Sequence, residues 1–277
     1  MPELPEVETV RRIIKPQLVG IKINNVKVNK DKIIAHPSVK EFCEGVENRT
    51  ITDITRKGKF LRIILDDKST MVVHLRMTGK LLVTPPKMTE EKHTHVIMSL
   101  SNNQQLRYLD SRSFGRFWLI KKDEEDTFTG MSKLGIEPFD PKLNADYLKS
   151  KIGKRSKPIK EMLHDQSIVA GIGNIYSDEI LFYCCIYPAK LCKDLNDDEW
   201  RKLAEAIPYI MNWGLEIDKT TPERFLSERN EGYTKIELLK AYGHEGKPCP
   251  NCGTKLKRII IYGRSSCYCC NCQRETI

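Results

Sequence analysis

The first stretch of the chain carries apolar residues at helical spacing. Its apolar positions lie three or four residues apart: Leu4, Val7, Val10 and Ile14. Such a stripe is typical of a helix that buries one face. Pro5 would lie in the first turn, where a missing N–H is tolerated, and Pro16 predicts the end of the helix. Residues 4–15 are therefore expected to form an amphipathic helix.

Short strand-like runs follow from residue 21. They are rich in β-branched and aromatic residues, and turn-like stretches separate them. The predicted strands are residues 21–28, 60–66, 71–77, 95–100, 105–110 and 116–120. Their spacing predicts an antiparallel sandwich or barrel built on the N-terminal helix.

The pattern becomes helical after residue 150. The predicted helices are residues 158–165, 174–184, 196–217, 221–227 and 235–242. A mostly β half followed by a mostly α half predicts an α+β fold, and the length suggests about two large domains. The expected segments are a β domain over 1–122, a connector over 123–150, a helical domain over 151–242 and a C-terminal segment over 243–277.

Composition and charge narrow the class of protein. Hydrophobic residues make up 40% of the 277 positions and charged residues 30%, which is a globular mix. Apolar runs are too short for a membrane helix, and the acidic N-terminus is unlike a secretory signal, so a cytoplasmic protein without a membrane partner is expected. The net charge of +9 is concentrated in two segments: residues 149–160 hold six basic residues and no acid, and residues 247–277 hold six basic residues and one acid. This favours a polyanion such as nucleic acid over the alternative of a solvated basic surface.

Cysteines cluster at the C-terminus, where six of the ten follow residue 248. In a reducing compartment such a cluster indicates metal ligation. Two CxxC pairs lie sixteen residues apart: Cys249 and Cys252, then Cys269 and Cys272. Four thiolates on two turns suit one tetrahedral, structural Zn²⁺. Cys267 and Cys270 form an offset CxxC, and spacing alone leaves the choice between the two registers open.

A glycine turn lies between two predicted helices. Gly171 and Gly173 let the backbone approach a ligand, and the helix that begins at Asn174 points N–H groups outward. This arrangement is typical of phosphate sites. A tight helix–helix turn is the alternative, but the basic segment just before it favours phosphate.

The N-terminus carries a candidate nucleophile. Removal of Met1 would expose the amine of Pro2, which Glu3 follows directly. A terminal amine has a pKa near ~8, below the ~10.4 of lysine, so it deprotonates more easily near neutral pH. Glu3 would act as a proton shuttle beside it. The mechanism requires that Met1 be removed.

Four separated segments together resemble one family over essentially the whole chain. They are PELPEVETVRR at 2–12, DSRSFGR at 110–116, VAGIGNIYSDEILF at 169–182, and CPNCG with GRSSCYCCNCQR at 249–274. The chain thereby resembles formamidopyrimidine-DNA glycosylases, bacterial enzymes that excise oxidised purines. The resemblance implies an N-terminal antiparallel β-sandwich with an N-terminal helix, then a helix–two-turn–helix domain that ends in a zinc-ribbon hairpin. It also implies a monomer that acts on damaged duplex DNA at the bacterial nucleoid.

The resemblance implies catalytic roles for four residues. Pro2 matches the nucleophile that forms a Schiff base with the damaged sugar, and Glu3 matches its proton donor. Lys59, rather than the nearby Lys57, matches the lysine of β-elimination. Arg264 matches the arginine of δ-elimination, which also grips phosphates beside the lesion.

The resemblance also implies DNA contacts. Met77, Arg112 and Phe114 match three side chains that fill the space left by an everted base. Five more residues match phosphate or strand contacts: His74, His93, Arg155, Lys160 and Asn174. Core packing is the alternative for Met77 and Phe114, and a structural role is the alternative for His74.

The metal register follows from the same resemblance, which aligns Cys269 and Cys272 with the ligands. The chain departs from the family at Ile136, where many members have proline, and at Thr94, where an aspartate is common. Residues 228–234 match a variable lesion-sensing loop that does not identify the substrate. The alternatives are an oxidised-pyrimidine glycosylase of the same superfamily and a non-catalytic zinc-ribbon DNA-binding protein.

Overall fold

The N-terminal helix α1 spans Leu4–Leu18 in the computed structural model, which describes residues 2–217, 219–229, 231–233 and 236–275. Its apolar face is buried in the core, as the spacing predicts. The prediction that Pro16 ends the helix is wrong, because the helix continues for one further half-turn. Leu18 is fully buried there, and the side-chain amide of Gln17 donates to the carbonyl of Ile13 at 2.7 Å. Tertiary packing thus outweighs the cost of the proline.

Two sheets form the N-terminal β-sandwich. The strands are β1 Ile23–Val28, β2 Ile34–His36, β3 Ile51–Lys57, β4 Phe60–Leu65, β5 Thr70–His74, β6 Lys80–Thr84, β7 Thr94–Leu100, β8 Gln105–Leu109 and β9 Arg116–Ile120. One sheet has the order β1-β7-β8-β6 and the other β2-β9-β5-β4-β3, and only β2 and β9 are parallel among these pairs of described strands. Helix α2, Val39–Val46, packs on β1, β2 and β9. All six predicted strands are present, so the sandwich predicted from the sequence is confirmed.

The sequence pattern did not predict the strands β2, β3 and β6, and each of them lies at the edge of its sheet. An edge strand has one open side, so it is often short or polar. β2 has three residues, and β3 carries exposed or half-buried polar positions along most of its length. The apolar pattern that reveals central strands is therefore weak in β2 and β3, whereas β6 was missed although Leu81, Leu82 and Val83 are apolar.

The C-terminal half is helical and ends in a hairpin. Its helices are α3 Ala145–Ile152, α4 Ile159–Leu163, α5 Asn174–Tyr183, α6 Asp197–Ile217 and α7 Pro222–Ser227, and the hairpin joins β10 Lys257–Ile261 to β11 Arg264–Tyr268. Helix α3 begins inside the segment expected to be a connector, where Asn144 caps it by accepting from the N–H of Tyr147 at 2.8 Å. Among the described helices, none has the length and apolarity to cross a membrane.

The helix predicted over residues 235–242 is wrong for the part that is described. Ile236–Leu238 form a single 3₁₀ turn, whereas residues 234 and 235 lie outside the described residues. The backbone N–H groups of residues 240–242 donate to the buried carboxylate of Glu179 at 2.9–3.0 Å. Because a carboxylate takes these donors, they do not form helical hydrogen bonds.

The chain divides into two compact units. Among the described residues, the first unit contains 2–132 with 219–233, and the second contains 133–217 with 236–275. Within the first unit, the hydroxyl of Tyr233 donates to the carbonyl of Gly79 at 2.8 Å, and Arg229 pairs with Glu91. The second part of this unit therefore docks beside β6. The four-segment division expected from the sequence stays a prediction.

Candidate functional site

The N-terminal pair of the first unit is buried. Pro2 is buried and Glu3 is only 1% exposed, whereas Met1 lies outside the described residues. Glu3 caps α1, and its backbone N–H donates to the carboxylate of Glu6 at 2.7 Å. The reciprocal capping box keeps the Glu3 carboxylate at the positive end of the helix dipole. A carboxylate is thus held next to the residue that would become the terminal amine.

Lys59 lies in the two-residue turn between β3 and β4. Gly58 has a φ of +56°, a conformation that glycine adopts without strain. Lys59 is 7% exposed, whereas Lys57 at the end of β3 is half-buried. The side chain of Arg56 donates to the carbonyl of Gly58 at 2.9 Å and so braces the turn.

An ion network in the first unit joins this turn to α1. The Glu8 carboxylate accepts from Arg11 at 2.7 Å, from Arg12 at 3.1 Å and from Arg56 at 3.3 Å. Burial alone would raise the pKa of Glu8, but the hydrogen bond and charge of Arg11, with the charge of Arg56, hold it below its usual value. The carboxylate therefore stays ionised at neutral pH. The helix that follows Pro2 and Glu3 and the turn that carries Lys59 are held together through this carboxylate.

His74 ends strand β5 and is 6% exposed. Burial, with the charges of Arg76 and Lys59, lowers its pKa to about 3, so the ring is neutral at pH 7. Its Nδ1 accepts from the backbone N–H of Arg76 at 3.0 Å, which places the ring proton on Nε2. A neutral imidazole in this tautomer can donate one hydrogen bond to an anion. The phosphate contact expected of His74 stays a prediction.

Two loops of the first unit expose the expected void-filling side chains. Met77 is 39% exposed and Phe114 47% exposed, so packing of these two side chains in the core is ruled out. The guanidinium of Arg112 lies 4.7 Å from the ring centroid of Phe114. Arg76 and Ser113, which directly precede Met77 and Phe114, have φ values of 57° and 54°. Non-glycine residues in this conformation store backbone strain, which often marks functional loops.

Asp110 organises both loops and is fully buried. One carboxylate oxygen accepts from the hydroxyl of Thr78 and from the N–H of Arg112, and the other accepts from the N–H of Gly115 at 2.8 Å and the hydroxyl of Tyr108 at 3.1 Å. Burial raises the pKa of Asp110, but these hydrogen bonds outweigh it and lower the pKa overall. The sequence motif begins with this aspartate, yet its positioning role was not recognised.

Two histidines before the same loop differ in exposure. His93 is exposed, and its φ of 74° lies in the left-handed region. His95 is buried, and its Nε2 lies 2.7 Å from the carbonyl of Asp110 and 3.0 Å from the hydroxyl of Ser113. His95 therefore supports the loop, a role that the sequence did not indicate. The strand contact expected of His93 stays a prediction.

The glycine turn of the second unit lies between α4 and α5, as predicted. The side chain of Gln166 accepts from the N–H of Gly171 at 2.9 Å and donates to the carbonyl of Ile172 at 2.8 Å. Gln166 thus fixes the turn that leads into α5. Asn174 begins this helix, and its Oδ1 is buried without a hydrogen-bond partner among the described residues. The strand or phosphate contact expected of Asn174 stays a prediction.

The ammonium group of Lys160 is buried. The side chain is 1% exposed and pairs with the equally buried Asp178, and it also donates to the carbonyl of Ser265 at 3.2 Å. This placement supports the hairpin, and the strand or phosphate contact expected of Lys160 stays a prediction. Arg155 is exposed, so a phosphate contact there stays a prediction.

Asp178 joins α5 to the C-terminal hairpin. Its carboxylate accepts from the hydroxyl of Ser266 at 2.5 Å and from the N–H of Cys267 at 3.0 Å. Burial raises the pKa of Asp178 to about 6 even though Lys160 and Ser266 favour the ionised form. These contacts fix strand β11, whose first residue is the exposed Arg264.

Four cysteines of the second unit converge. The Sγ atoms of Cys249, Cys252, Cys269 and Cys272 all lie within 4.8 Å of one another. Tetrahedral Zn–S bonds of ~2.3 Å require S···S distances of roughly 3.8 Å, and the pairs Cys249–Cys272 and Cys252–Cys269 are 4.0 and 3.5 Å apart. The donor set fits a metal ion with four thiolate ligands. The cluster contains the four cysteines of the expected register, and Cys267 is not one of its members.

Two family models match the chain. The formamidopyrimidine-DNA glycosylase N-terminal domain matches residues 1–117, and the formamidopyrimidine-DNA glycosylase H2TH domain matches residues 134–225. Proteins called formamidopyrimidine-DNA glycosylase from Pelotomaculum thermopropionicum and Desulforamulus reducens are 42% and 40% identical. Each alignment covers 99% of both chains.

Solved structures agree with this result. A complex of Lactococcus lactis Fpg (MutM) with DNA that contains FAPY-dG superposes with a TM-score of 0.89 at 32% identity, over 99% of this chain and 100% of the other. A second complex of the Lactococcus lactis protein contains an oxidised pyrimidine in the DNA and has a TM-score of 0.89 at 31% identity, with the same coverage. The likeness extends over the whole chain.

Proposed function

The chain belongs to the formamidopyrimidine-DNA glycosylase family, and we propose that it excises oxidised purines from duplex DNA and then cleaves the abasic site. The substrates are 8-oxoguanine and formamidopyrimidines. The enzyme acts as a monomer at the bacterial nucleoid, in the cytoplasm. The observation that carries this proposal is the buried Pro2–Glu3 pair at the start of α1.

The first step is nucleophilic. Once Met1 has been removed, the amine of Pro2 attacks C1′ of the everted nucleotide, and the N-glycosidic bond breaks as the base leaves. Glu3 takes up the proton that the proline nitrogen loses and delivers it to the ring oxygen of the deoxyribose, so the sugar opens and an iminium forms between the proline nitrogen and C1′. The helix dipole and the capping box keep the Glu3 carboxylate beside this nitrogen.

The lyase steps follow from the charge of the iminium. It acidifies the C2′ proton, whose removal expels the 3′ phosphate, and a second elimination expels the 5′ phosphate. Lys59 serves the β-elimination, and its burial in the braced turn supports a fixed position. Arg264 serves the δ-elimination by binding phosphate oxygens.

The DNA contacts follow the same order. Met77, Arg112 and Phe114 fill the space of the everted base, and their exposure on two strained loops supports this role. His74, His93, Arg155 and Asn174 contact the strand or its phosphates.

Borohydride trapping tests the mechanism. Wild-type protein without Met1 should form a covalent adduct with lesion DNA, and mass spectrometry should place the bond on Pro2. Pro5→Ala is the matched control, because Pro5 lies in the first turn of α1 and outside the chemistry. Absence of an adduct, or an adduct that survives Pro2→Gly unchanged, would defeat the mechanism. Protein that retains Met1 should be inert.

Preference among lesions separates the two glycosylase alternatives. A related structure contains an oxidised pyrimidine, so excision of 8-oxoguanine and of thymine glycol should be compared in otherwise identical duplexes. Faster excision of the pyrimidine would overturn the assignment to oxidised purines. A protein that binds both duplexes without any excision would be the non-catalytic zinc-ribbon alternative.

One structural Zn²⁺ completes the proposal. Cys249, Cys252, Cys269 and Cys272 would supply four thiolates, and such a closed set stabilises a fold without opening a catalytic position. Elemental analysis of purified protein should find one zinc per chain. A stoichiometry near zero in protein that binds DNA normally would exclude this role.

A further inference from the structure

An aromatic residue occupies the tip of the C-terminal hairpin. Tyr262 and Gly263 form the two-residue turn between β10 and β11, with Ile261 paired to Arg264 beside it. Both turn residues have positive φ values, 48° and 71°. Turns of this type favour Asn-Gly, and a bulky residue at positive φ is uncommon. The side chain of Tyr262 is 70% exposed, so burial does not account for its place in this turn.

The ring of Tyr262 lies against two cations from distant parts of the second unit. The ammonium of Lys157 is 5.8 Å from the ring centroid, and the guanidinium carbon of Arg264 is 6.0 Å from it. An aromatic face attracts cations within about 6 Å through its quadrupole. Lys157 also donates to Glu161 at 2.6 Å, which fixes the lysine side of this arrangement.

The two cations belong to separate basic elements. Lys157 lies in the basic segment 149–160, and Arg264 lies on the C-terminal hairpin. Two exposed positive charges repel each other, and long side chains lose entropy when they are ordered. A ring that attracts both cations offsets their repulsion and the entropy that their side chains lose. The ring thereby brings one cation from each basic element to the tip of the hairpin.

We propose that Tyr262 is a positioning residue that holds Arg264 and Lys157 together to bind consecutive phosphates of a DNA strand. This inference rests on the proposed function, because it assigns a polyanion to this surface. The ring itself takes no part in the chemistry. It orders Arg264 before the DNA arrives, so that less freedom is lost on binding.

Substitution of the ring tests the proposal. Tyr262→Phe retains the aromatic face, whereas Tyr262→Asn removes it and suits a turn with positive φ. Ile260→Ala is the matched control, because Ile260 is 63% exposed on the same hairpin. Binding is measured on duplex DNA with an uncleavable abasic-site analogue at several salt concentrations. The ratio of δ- to β-elimination products is measured separately on abasic-site DNA.

We expect Tyr262→Asn to weaken binding about threefold, which corresponds to one exposed cation–π contact. The slope of log Kd against log salt should fall by up to ~1, which is one phosphate contact, and the share of δ-product should fall with it. Tyr262→Phe and Ile260→Ala should match the wild type. Wild-type behaviour of Tyr262→Asn, or equal losses in Tyr262→Phe and Tyr262→Asn, would overturn the proposal.

The two proposals fail in different ways. If wild-type protein forms no trapped adduct on lesion DNA, the proposed function fails whatever the hairpin variants do. If wild-type protein traps and cleaves normally while Tyr262→Asn keeps its salt slope and product ratio, only the role of Tyr262 fails. The zinc content of each variant must equal that of the wild type, which shows that the hairpin is folded.

Discussion

Replacement of Asp110 by asparagine should uncouple the two loops that expose Met77 and Phe114. The substitution keeps the shape of the side chain and removes its charge. Each oxygen of Asp110 accepts from one hydroxyl and one backbone N–H, those of Arg112 and Gly115. An asparagine amide offers one acceptor atom and one donor atom. In either orientation, its NH₂ group therefore faces a backbone N–H.

The magnitude follows from that conflict. A hydrogen bond to a charged acceptor contributes ~1.5–3 kcal/mol, and an unsatisfied buried donor costs ~1–3 kcal/mol. Because hydroxyl groups can rotate, only one backbone bond is lost outright, so the loss of unfolding free energy should be about 3 kcal/mol. If about 2 kcal/mol of this loss destabilises the loop conformation that excision requires, excision should slow about thirtyfold.

Urea denaturation and single-turnover excision of 8-oxoguanine measure the two effects of Asp110→Asn. Asp66→Asn is the control, because Asp66 is exposed and its carboxylate accepts from the backbone N–H of Thr50 at 3.0 Å. The control should lose at most ~0.5 kcal/mol. Excision by Asp110→Asn within twofold of the wild type would refute the reasoning that this carboxylate positions the loops.

Three further predictions concern buried charges and the metal. Lys160→Met should lose about 3–5 kcal/mol of unfolding free energy because it leaves Asp178 unpaired. In denaturant melts, the double variant with Asp178→Asn should recover at least half of this loss. If the losses of the two single variants simply add, the pairing is contradicted. The pKa of His74 is about 3 in the folded chain and ~6.5 in the unfolded chain. As the pH falls below 6.5, a proton therefore binds the unfolded chain first and favours unfolding. Between pH 7 and pH 5 the wild type should lose about 2 kcal/mol of unfolding free energy that His74→Asn does not lose. Cys269→Ser should lose zinc and DNA binding while Cys267→Ser keeps both; equal zinc loss in elemental analysis would show that the ligand register is wrong.

The sequence predicts best the elements that have strong periodicity or rigid chemistry. Helix α1 and the central strands follow from their apolar spacing, and the metal ligands follow from thiolate geometry together with the family resemblance. The edge strand β3 was missed because its open side permits polar residues. Strand propensity depends only on the local sequence, whereas an edge strand such as β3 forms because of its pairing with the neighbouring strand.

Lys160 shows the limit at the candidate site. In the sequence it is one of six basic residues in a short segment, and nothing in that segment distinguishes it from the exposed Arg155. Its burial depends on Asp178, eighteen positions later, and on Ser265 of the hairpin. Long-range pairing of this kind has no local signal. The same holds for Glu179, whose carboxylate accepts from the N–H groups of residues 240–242, where a helix was predicted.

The adjacent acids Asp178 and Glu179 link helix α5 to the segments around the cysteine cluster, and so to any metal ion bound there. Asp178 binds the second strand of the hairpin, and Glu179 binds the chain just before the cysteine cluster. An ion that stabilises the cysteine cluster would therefore also stabilise α5, and an ordered α5 would raise the affinity for the ion. Chelation should accelerate amide exchange along α5 up to Asn174, so loss of the ion would be felt at the glycine turn, far along the chain from any cysteine ligand.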